Sequence, residues 1–389
     1  MEILIVSNYY PPEKGAAANR IEQLAISLQE HGFNVGVVCP LANYPEGKLF
    51  DGYRGRFSKT EILSGIRVRR LWIYPSNSKN PFKRVLSTFS FASCLFFYLL
   101  FGKIPKKVVV QSPPLLLSFI SVCALKLRRR KIILNVSDLW PSAAIELGAL
   151  KSGSLSHKVL LYMEKRIYRN ASVVLAQSDE IIAHVRTIIP DKECHLYRNL
   201  PSHKELIAIE KTGPLRIFYA GLLGVAQGVY ECCLKMELPQ NVEFHIFGDG
   251  AEKQLIEEYI KQNSNSGIHF HGMVPRNVLH EKLEEFDIAF VPLKTRIYGS
   301  VPSKIFEYSL LGIPLLYFGG GEGEDIVRDF NLGRVVPVED YVALNVSLLE
   351  LSKLSDEEIR EMKQQVFENA GKEFNLERQM KAIIASEVF

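Results

Sequence analysis

Short apolar runs rich in β-branched residues alternate along the chain with segments of helical periodicity. In the first half, the runs lie at residues 2–6, 34–38, 108–110, 131–136 and 172–176. In the second half, they lie at residues 215–220, 242–247, 268–271, 287–291, 314–317 and 333–336. Strands that alternate with helices usually form parallel sheets. The pattern therefore predicts two α/β domains, each with its own parallel sheet.

A polar segment at residues 199–214 separates the two sets of strands. Pro201, Gly213 and Pro214 interrupt it, as is typical of a connection between domains. We place a first domain at residues 1–200 and a second at residues 201–370. Ser355 precedes Glu358 by three positions, which predicts a capping box at the start of a terminal helical segment. We expect residues 371–389 to form a C-terminal helix that packs back on the first domain.

The composition fits two ordinary cores and excludes some classes of partner. Of 389 residues, 47% are hydrophobic and 23% are charged, which suffices for two buried interiors. A net charge of +4 is too small to indicate a nucleic-acid partner. The cysteines form no C-x-x-C pair and have no histidines at zinc-ligand spacing. We expect a cytoplasmic, reduced protein without a signal peptide or a structural metal.

Residues 85–101 form an uncharged, mostly apolar run between basic residues. The run lies at the short limit for a membrane span, and four hydroxyl side chains dilute it. We therefore predict a surface that docks to anionic lipid rather than a span. The alternative is an ordinary core helix whose neighbouring arginines are solvated. The predicted membrane-facing residues are Lys83, Arg84, Lys103, Arg128, Arg129 and Arg130.

The loop after the first strand contains Gly15 and Asn19 and leads into a helical pattern. Small residues at a helix start let an anion approach free backbone N–H groups. The loop is thus a candidate phosphate or acceptor loop. The alternative is a tight turn that only packs the helix on the sheet.

Two glycine-containing segments follow strands of the second domain. Gly221, Gly224 and Gly228 follow the first strand, and Gly248 and Gly250 flank Asp249 after the second. Glycines there allow the backbone to approach a phosphate, although the G-K-[S/T] ending of a Walker loop is absent. Plain turns would explain the same glycines.

The strongest local pattern is the segment at residues 298–308. Pro302 is suited to the first turn of a helix, which would place Lys304 and Glu307 on one face. A lysine there can compensate diphosphate charge, and a carboxylate can accept hydrogen bonds from ribose hydroxyls. The alternative is an exposed ion pair worth less than ~1 kcal/mol.

Asp138 directly follows an apolar strand of the first domain, two residues before Trp140. A carboxylate at a strand end suggests a polar cleft, since burying it unpaired is costly. We predict that Asp138 orients an acceptor hydroxyl or acts as a base. The alternative is that it caps the next helix.

Taken in order, these segments resemble the retaining GT-B glycosyltransferases of family 4 over nearly the whole chain. The P-P-x-x-G loop at residues 11–15, the glycine turns and the F-x-G-x-V segment at residues 270–274 carry the resemblance. It implies an α/β GT-B fold, in which two Rossmann-like, doubly wound parallel-sheet domains face a cleft. It implies that the donor-binding residues are Gly221, Gly224, Gln227, Gly248, Asp249, Val274, Ser303, Lys304 and Glu307.

The chain departs from this family at several positions. Gly299 occupies the position of the first of the family's two glutamates, and Leu222 and Gln227 replace its usual Arg and Lys. Lys304 is then the expected counter-ion of the diphosphate, and it and Asp138 are the predicted catalytic residues. Many relatives have a histidine where this chain has Ser137 and Asp138, so the resemblance leaves the acid–base group unassigned.

A subgroup, the bacterial N-acetyl-fucosamine transferases of O-antigen and capsule synthesis, is similar at Asp138-Leu139-Trp140-Pro141 and Ala226-Gln227-Gly228. The similarity implies a UDP-linked 6-deoxy or N-acetylated sugar as donor and a polyprenyl-diphosphate-linked acceptor. It implies no metal and no cofactor, and a peripheral position on the inner face of the cell membrane. A nucleotide-sugar epimerase or hydrolase of the same fold, or a non-catalytic nucleotide-sugar-binding subunit, remains an alternative.

Overall fold

The computed structural model describes residues 1–78, 80–201, 206, 213–263 and 266–389. The chain divides into two compact units. Unit 1 comprises Met1–Asn199 together with Glu377–Phe389, and unit 2 comprises Leu200–Leu376. Most of the predicted linker, residues 202–205 and 207–212, lies outside the described residues.

Unit 1 is built on an eight-stranded sheet with the order β3-β4-β2-β1-β5-β6-β7-β8. Its strands are β1 (Ile3–Val6), β2 (Val35–Pro40), β3 (Ser58–Leu63), β4 (Ile66–Leu71), β5 (Lys107–Ser112), β6 (Lys131–Val136), β7 (Val173–Ala176) and β8 (Cys194–Leu196). Its helices before the second unit are α1 (Ala16–Glu30), α2 (Pro81–Phe101), α3 (Leu115–Leu127), α4 (Ser142–Glu146), α5 (Leu155–Asn170) and α6 (Asp179–Ile188). The central strands β1, β5 and β6 are almost entirely buried, as their β-branched runs predict.

One part of this sheet is not parallel, contrary to the prediction. Strands β3 and β4 form an antiparallel hairpin. Its two-residue turn consists of Ser64 and Gly65, whose φ values of 49° and 76° are both left-handed, as in the tight turns that match strand twist. The hairpin adds an edge to an otherwise parallel sheet.

Unit 2 has a six-stranded, fully parallel sheet with the order β11-β10-β9-β12-β13-β14. Its strands are β9 (Leu215–Leu222), β10 (Val242–Asp249), β11 (Ile268–Gly272), β12 (Ile288–Pro292), β13 (Leu315–Phe318) and β14 (Gly333–Val336). Its helices are α7 (Val229–Lys235), α8 (Lys253–Gln262), α9 (Arg276–Lys282), α10 (Lys304–Ser309), α11 (Glu322–Asp329), α12 (Tyr341–Leu351) and α13 (Asp356–Glu373). The two α/β units with Rossmann-like sheets confirm the predicted fold class.

The C-terminal segment forms two helices. The predicted capping box is confirmed, because Ser355 and Glu358 exchange hydrogen bonds at the start of α13. Helix α14 (Leu376–Ala385) belongs almost wholly to unit 1. There, the side-chain amide of Gln379 accepts a hydrogen bond from Arg198 N at 2.9 Å and donates one to Arg198 O at 3.1 Å. The chain therefore returns to its first unit after completing the second.

Candidate functional site

Strand order places a topological switch point in unit 2 between β9 and β12. From β9 the chain moves to β10 on one side of the sheet, and β12 returns to the other side of β9. Ligands of open α/β sheets bind where loops diverge at the carboxyl ends of such strands. The loop after β9 holds the glycine turn, and the loop after β12 leads to Lys304. Thr295 N donates to Ala226 O at 3.0 Å, which joins the two loops.

The Lys304 ammonium lies against the backbone of Gly221. A Cβ at Gly221 would lie 2.1 Å from Lys304 Nζ, so any larger side chain would displace the lysine. Nζ also lies 4.4 Å from the centroid of the Tyr219 ring, a cation–π contact. In the described part of the chain, no carboxylate forms an ion pair with Lys304. The result is a cation without an anionic partner at the switch point.

Burial among these groups lowers the pKa of Lys304 to about 8, while the Glu307 carboxylate opposes the shift. Desolvation disfavours the charged form, and the aromatic ring compensates only part of the lost hydration. An incoming phosphate would supply the missing negative charge. The electrostatics of Lys304 therefore suit it to bind an anion.

Glu307 lies one turn further along α10, but it does not pair with Lys304. Arg276 of α9 donates from NH2 to Glu307 Oε1 at 2.8 Å. Within the described residues, Glu307 Oε2 receives no hydrogen bond from the protein. The exposed Lys304–Glu307 ion pair that the sequence left open is thus absent, and Glu307 keeps one carboxylate oxygen for a ligand hydroxyl.

The second glycine segment differs from the predicted turn, because β10 continues through Gly248 to Asp249 and pairs there with β9. A Cβ at Gly248 would lie 1.9 Å from Gly221 O, so the two strand ends approach as only glycines allow. Leu223 N donates to Asp249 O at 2.9 Å. The side chain of Asp249 is exposed and accepts from Gly250 N at 2.8 Å. The glycines thus let the ends of β9 and β10 approach each other closely beside Lys304.

The other predicted donor residues are spread around this edge. Gln227 Oε1 is buried without a hydrogen-bond partner in the described chain and lies where a Cβ at Gly224 would approach it to 2.9 Å. Ser303 immediately precedes α10 and makes no side-chain cap. Val274 packs against the core of unit 2. Val274, which was predicted to bind the donor, is therefore a packing residue in the structure.

Asp138 in unit 1 lies beyond the end of β6 and does not cap the following helix. The N-cap of α4 is Pro141, which makes no side-chain hydrogen bond. Burial raises the pKa of Asp138, while Ser137 Oγ, which donates to Asp138 Oδ2 at 3.2 Å, and the positive charge of Arg20 lower it. The capping alternative is wrong. Asp138 is a half-buried carboxylate whose charge is only partly compensated.

Arg20 of α1, which the sequence reading missed, is the cation of this region. Its guanidinium donates to Gln177 Oε1 at 2.9 Å, to Asn135 Oδ1 at 2.8 Å and to Tyr197 O at 2.8 Å. Burial lowers the pKa of Arg20 to about 10, while nearby Tyr197 and Asp138 raise it. The sequence signal that could have found it is an arginine on the mostly apolar face of an amphipathic helix.

The loop before α1 is anchored from within unit 1. The buried Glu13 carboxylate accepts hydrogen bonds from the backbone N–H groups of Tyr10, Asn43 and Tyr44. Gly15 is the N-cap of α1 and makes no side-chain cap, and Asn19 is exposed in its first turn. The loop therefore leads into a helix N-terminus without a side-chain cap, and its role as an anion-binding loop stays a prediction.

Helix α2 carries both a packed face and an exposed apolar face. Phe91, Leu95 and Leu99 are fully buried, whereas the opposite stripe is exposed. Among the described residues, Phe82–Phe101 is the one helix long and apolar enough to cross a membrane, and 28% of its most apolar window is buried. The exposed stripe consists of Phe82, Val85, Leu86, Phe89, Phe97 and Phe101.

The basic residues near α2 do not all face solvent as predicted. Lys83, Arg84, Lys103 and Arg129 are exposed. Arg128 instead donates to Leu99 O at 3.2 Å and to Gly102 O at 2.6 Å, so it closes the C-terminal end of α2.

Arg130 is half-buried, and its Nε is enclosed without a partner in the described chain. Arg128 and Arg130 are thus less exposed than expected of membrane-facing residues, and their place on such a surface stays a prediction. The exposed members of the predicted set remain candidates.

Comparison with known proteins agrees with the fold and the order of the two units. Residues 15–198 match a glycosyl transferase 4-like domain, and residues 217–353 match the glycosyl transferases group 1. A curated relative from Pseudomonas aeruginosa, described as probable glycosyltransferase WbjE, is 24% identical over 241 residues. That match covers 58% of this chain and 60% of the relative.

Several solved structures share the fold over the whole chain. Sucrose-phosphate synthase from Thermosynechococcus elongatus matches with a TM-score of 0.72 at 15% identity, and the match covers 100% of this chain and 98% of the synthase chain. The lipopolysaccharide glycosyltransferase WaaG has a TM-score of 0.67 at 14% identity and 99% coverage of both chains. Anabaena HepE, solved with UDP, has a TM-score of 0.67 at 13% identity and covers 100% of this chain and 99% of its own. Because residues 15–198 and 217–353 match two glycosyltransferase domain families in order, on this shared fold, the chain belongs to the glycosyltransferases of the GT-B type.

Proposed function

We propose that this chain is a retaining glycosyltransferase that moves a sugar from a UDP-sugar onto a lipid-linked acceptor. The observation that carries the proposal is the Lys304 ammonium, which lies at the switch point of unit 2 against Gly221 and has no carboxylate partner in the described chain. A half-buried, desolvated cation of this kind favours a diphosphate, and HepE of the same fold is solved with UDP. The donor is proposed to be a UDP-linked 6-deoxy or N-acetylated hexose.

Unit 2 is proposed to stabilise the leaving UDP. As the bond between the sugar C1 and the diphosphate oxygen breaks, negative charge grows on the phosphate, and Lys304 and the backbone N–H groups of the glycine turn neutralise it. Glu307, fixed through Oε1 by Arg276, offers Oε2 to the ribose hydroxyls. A lysine and backbone dipoles can provide this neutralisation, so we propose a reaction that needs no metal ion and no cofactor.

Unit 1 is proposed to recognise the acceptor. Asp138 accepts a hydrogen bond from the acceptor hydroxyl, whose oxygen forms the new bond to C1 on the face that the diphosphate leaves. The hydroxyl proton passes to the leaving phosphate or to Asp138. A carboxylate with a raised pKa is a stronger base than an ordinary aspartate, which suits either role.

The acceptor is proposed to be a polyprenyl-diphosphate-linked sugar of bacterial surface polysaccharide synthesis. WbjE is described as a probable glycosyltransferase, and WaaG acts in lipopolysaccharide biosynthesis. The exposed apolar stripe of α2 beside Lys83 and Arg84 suits a protein that works at an anionic membrane surface. We propose a peripheral position on the inner face of the cell membrane.

A donor-consumption assay with and without membrane-extracted lipid acceptors tests the proposal. A transferase releases UDP only with acceptor, and mass spectrometry then finds a sugar-extended lipid. UDP release without acceptor indicates a hydrolase, and conversion to an isomeric UDP-sugar without UDP release indicates an epimerase. Donor binding without any turnover, across UDP-sugars and acceptor extracts, would reduce the chain to a binding subunit.

Replacing Asp138 with asparagine is expected to lower turnover about tenfold or more while leaving the UDP affinity unchanged. The amide keeps the shape and the contact with Ser137 but cannot take a proton or hold a full negative charge. Steady-state rates at saturating donor and UDP titration calorimetry provide the two readouts. Unchanged turnover would show that Asp138 has no part in the reaction.

The UDP affinity is expected to fall as the pH rises above about 8. Below this pKa, Lys304 is charged before UDP arrives, whereas above it each binding event must also take up a proton. The affinity should then drop by up to about tenfold per pH unit. Titration calorimetry between about pH 7 and about pH 9.5 measures the slope. Lys304→Arg, which stays charged, should flatten the profile, and an unchanged slope in that variant would exclude Lys304 as the titrating group.

A further inference from the structure

Three histidines and a glutamate cluster on the edge of the unit 2 sheet, away from the glycine turn. Glu243 and His245 belong to β10, and His269 and His271 belong to β11. His245 and His269 are direct partners in the parallel register. Because side chains alternate along strands, all four lie on one face of the two strands.

The spacing of three of these side chains suits a metal ion. One ligand atom from each of Glu243, His245 and His269 lies within 4.8 Å of the other two. His245 Nε2 is 3.2 Å from Glu243 Oε2. Two ligands held at ~2.0–2.1 Å from zinc in a tetrahedron are themselves roughly 3.3 Å apart. The Glu243–His245 pair therefore already has the separation that a shared tetrahedral metal requires.

The fourth residue, His271, orients the cluster. Its Nε2 lies 2.9 Å from His245 Nδ1, and the two rings are nearly parallel, with an angle of 5° between their planes. The Phe247 ring stacks on the His271 ring with 4.4 Å between the ring centroids. The Phe286 ring contacts the His245 ring edge to face, with 5.1 Å between the centroids. A metal-bound histidine usually donates its second ring N–H to a neighbour, and His271 is placed to accept it.

We propose that Glu243, His245 and His269 bind a divalent zinc ion, with water in the fourth position and His271 as the hydrogen-bond partner of His245. Imidazole and carboxylate suit zinc, and no cysteine is required. The expectation of no structural metal rested on cysteine spacing and so did not test this ligand set.

A metal ion at this cluster must compete with the charged side chains that already surround it. Arg216 Nε lies 3.3 Å from Glu243 Oε2, so the ion must share that carboxylate with a guanidinium whose side chain is 36% exposed and has room to move. Burial and the charges of His269 and Lys282 lower the pKa of His271, whereas the charge of Glu285 raises it. Glu243 and His245 lie in the first half of β10, whereas the donor-side backbone follows its carboxyl end. The ion would therefore clamp the edge strand β11 to β10 rather than take part in sugar transfer.

Metal titration of the full chain, stripped with chelator, tests the site. We expect one equivalent of Zn²⁺ to bind by calorimetry, and Co²⁺ to give the visible spectrum of a tetrahedral histidine site. Zn²⁺ should also raise the melting temperature. His269→Ala and Glu243→Gln should weaken binding at least about tenfold and abolish the thermal shift, since each removes one of three ligands. His280→Ala, which changes an exposed histidine of α9, should behave as the wild type.

Binding that is equal in wild type, His269→Ala and Glu243→Gln would overturn the proposal, as would no binding by the wild type. Circular dichroism of each metal-free variant establishes that it is folded before titration. His269→Gln provides a second variant of similar size if the alanine variant is unfolded. UDP affinity should be the same with and without Zn²⁺, and a Zn²⁺-dependent change in it would contradict the structural role.

Discussion

Replacing Lys304 with alanine is expected to weaken UDP binding and kcat/KM for the donor by about tenfold to hundredfold. Removing a charge-assisted hydrogen bond costs roughly 1.5–3 kcal/mol, which corresponds to this range. The effect should lie near the upper end, because the ammonium is desolvated and Tyr219 is its one aromatic partner among the described residues. Titration calorimetry with UDP and initial donor rates measure the two quantities.

The stability of the variant separates a binding defect from a folding defect. The lowered pKa of Lys304 means that the folded protein holds its charge at a cost, so removing the charge should not lower the free energy of unfolding. Lys381→Ala, which changes an exposed lysine paired with Glu377, is the matched control and should keep full UDP affinity. A Lys304→Ala protein with normal UDP affinity and normal donor use would remove the assignment of the donor site.

The strands that could be predicted are those whose apolar runs are continuous. Central parallel strands such as β1 and β6 are covered on both faces, so their apolar sequences identify them without any tertiary information. The hairpin β3–β4 was missed because its apolar residues alternate with Lys, Glu and Arg, and because β3 is the edge strand of the sheet. The dipeptide Ser64-Gly65 between two alternating segments was the signal that could have found it.

The positions of the candidate donor-binding segments could be predicted from the sequence, but their contacts could not. Lys304 and Gly221 follow strands that the sequence identifies, and parallel strands bring their carboxyl ends to one edge. The contact of Lys304 with Gly221 joins a helix to a distant strand, and Glu307 binds Arg276 from a helix 31 residues earlier in the chain. Such distant partners leave no local pattern.

Buried polar residues were the least predictable part. Arg20 lies on the buried face of α1, and its three acceptors come from segments far along the chain that no local pattern indicates. The four residues of the edge cluster alternate within their strands, which predicts a common face. Their mutual approach depends on the register that pairs His245 with His269. The sequence of either strand alone does not determine that register.

The full chain is expected to float with anionic liposomes and to lose this binding when Phe82, Phe89 and Phe97 are changed to serine. These rings are 75%, 54% and 60% exposed on one stripe of α2. Fully burying a phenylalanine contributes about 1.5–3 kcal/mol, so even partial insertion of three rings should make the loss exceed about tenfold. Flotation with anionic and neutral vesicles, at low and high salt, measures it.

The basic residues should add the preference for anionic lipid. Lys83→Ser with Arg84→Ser is expected to reduce recovery with anionic vesicles and its salt dependence, at about 1 kcal/mol per residue. Arg128 is unsuited to this test, because its loss would free the carbonyls of Leu99 and Gly102 and disturb α2 itself. Val342→Ser, which changes an exposed apolar side chain of unit 2, should leave binding intact. Equal recovery with neutral and anionic vesicles, or none with either, would contradict the docking surface.

Extraction distinguishes a helix that lies on the membrane from one that crosses it. Helix α2 fully buries Phe91, Leu95 and Leu99 in unit 1, and a crossing helix would have to give up that packing. Burial in the protein stabilises each such side chain by about 1.5–3 kcal/mol. Burial in lipid would replace this stabilisation without adding to it. Its exposed stripe, by contrast, can enter the interface without any unfolding. Alkaline carbonate should therefore release the bound chain from vesicles, and retention of the chain in the washed membrane would show that α2 leaves the fold to span it.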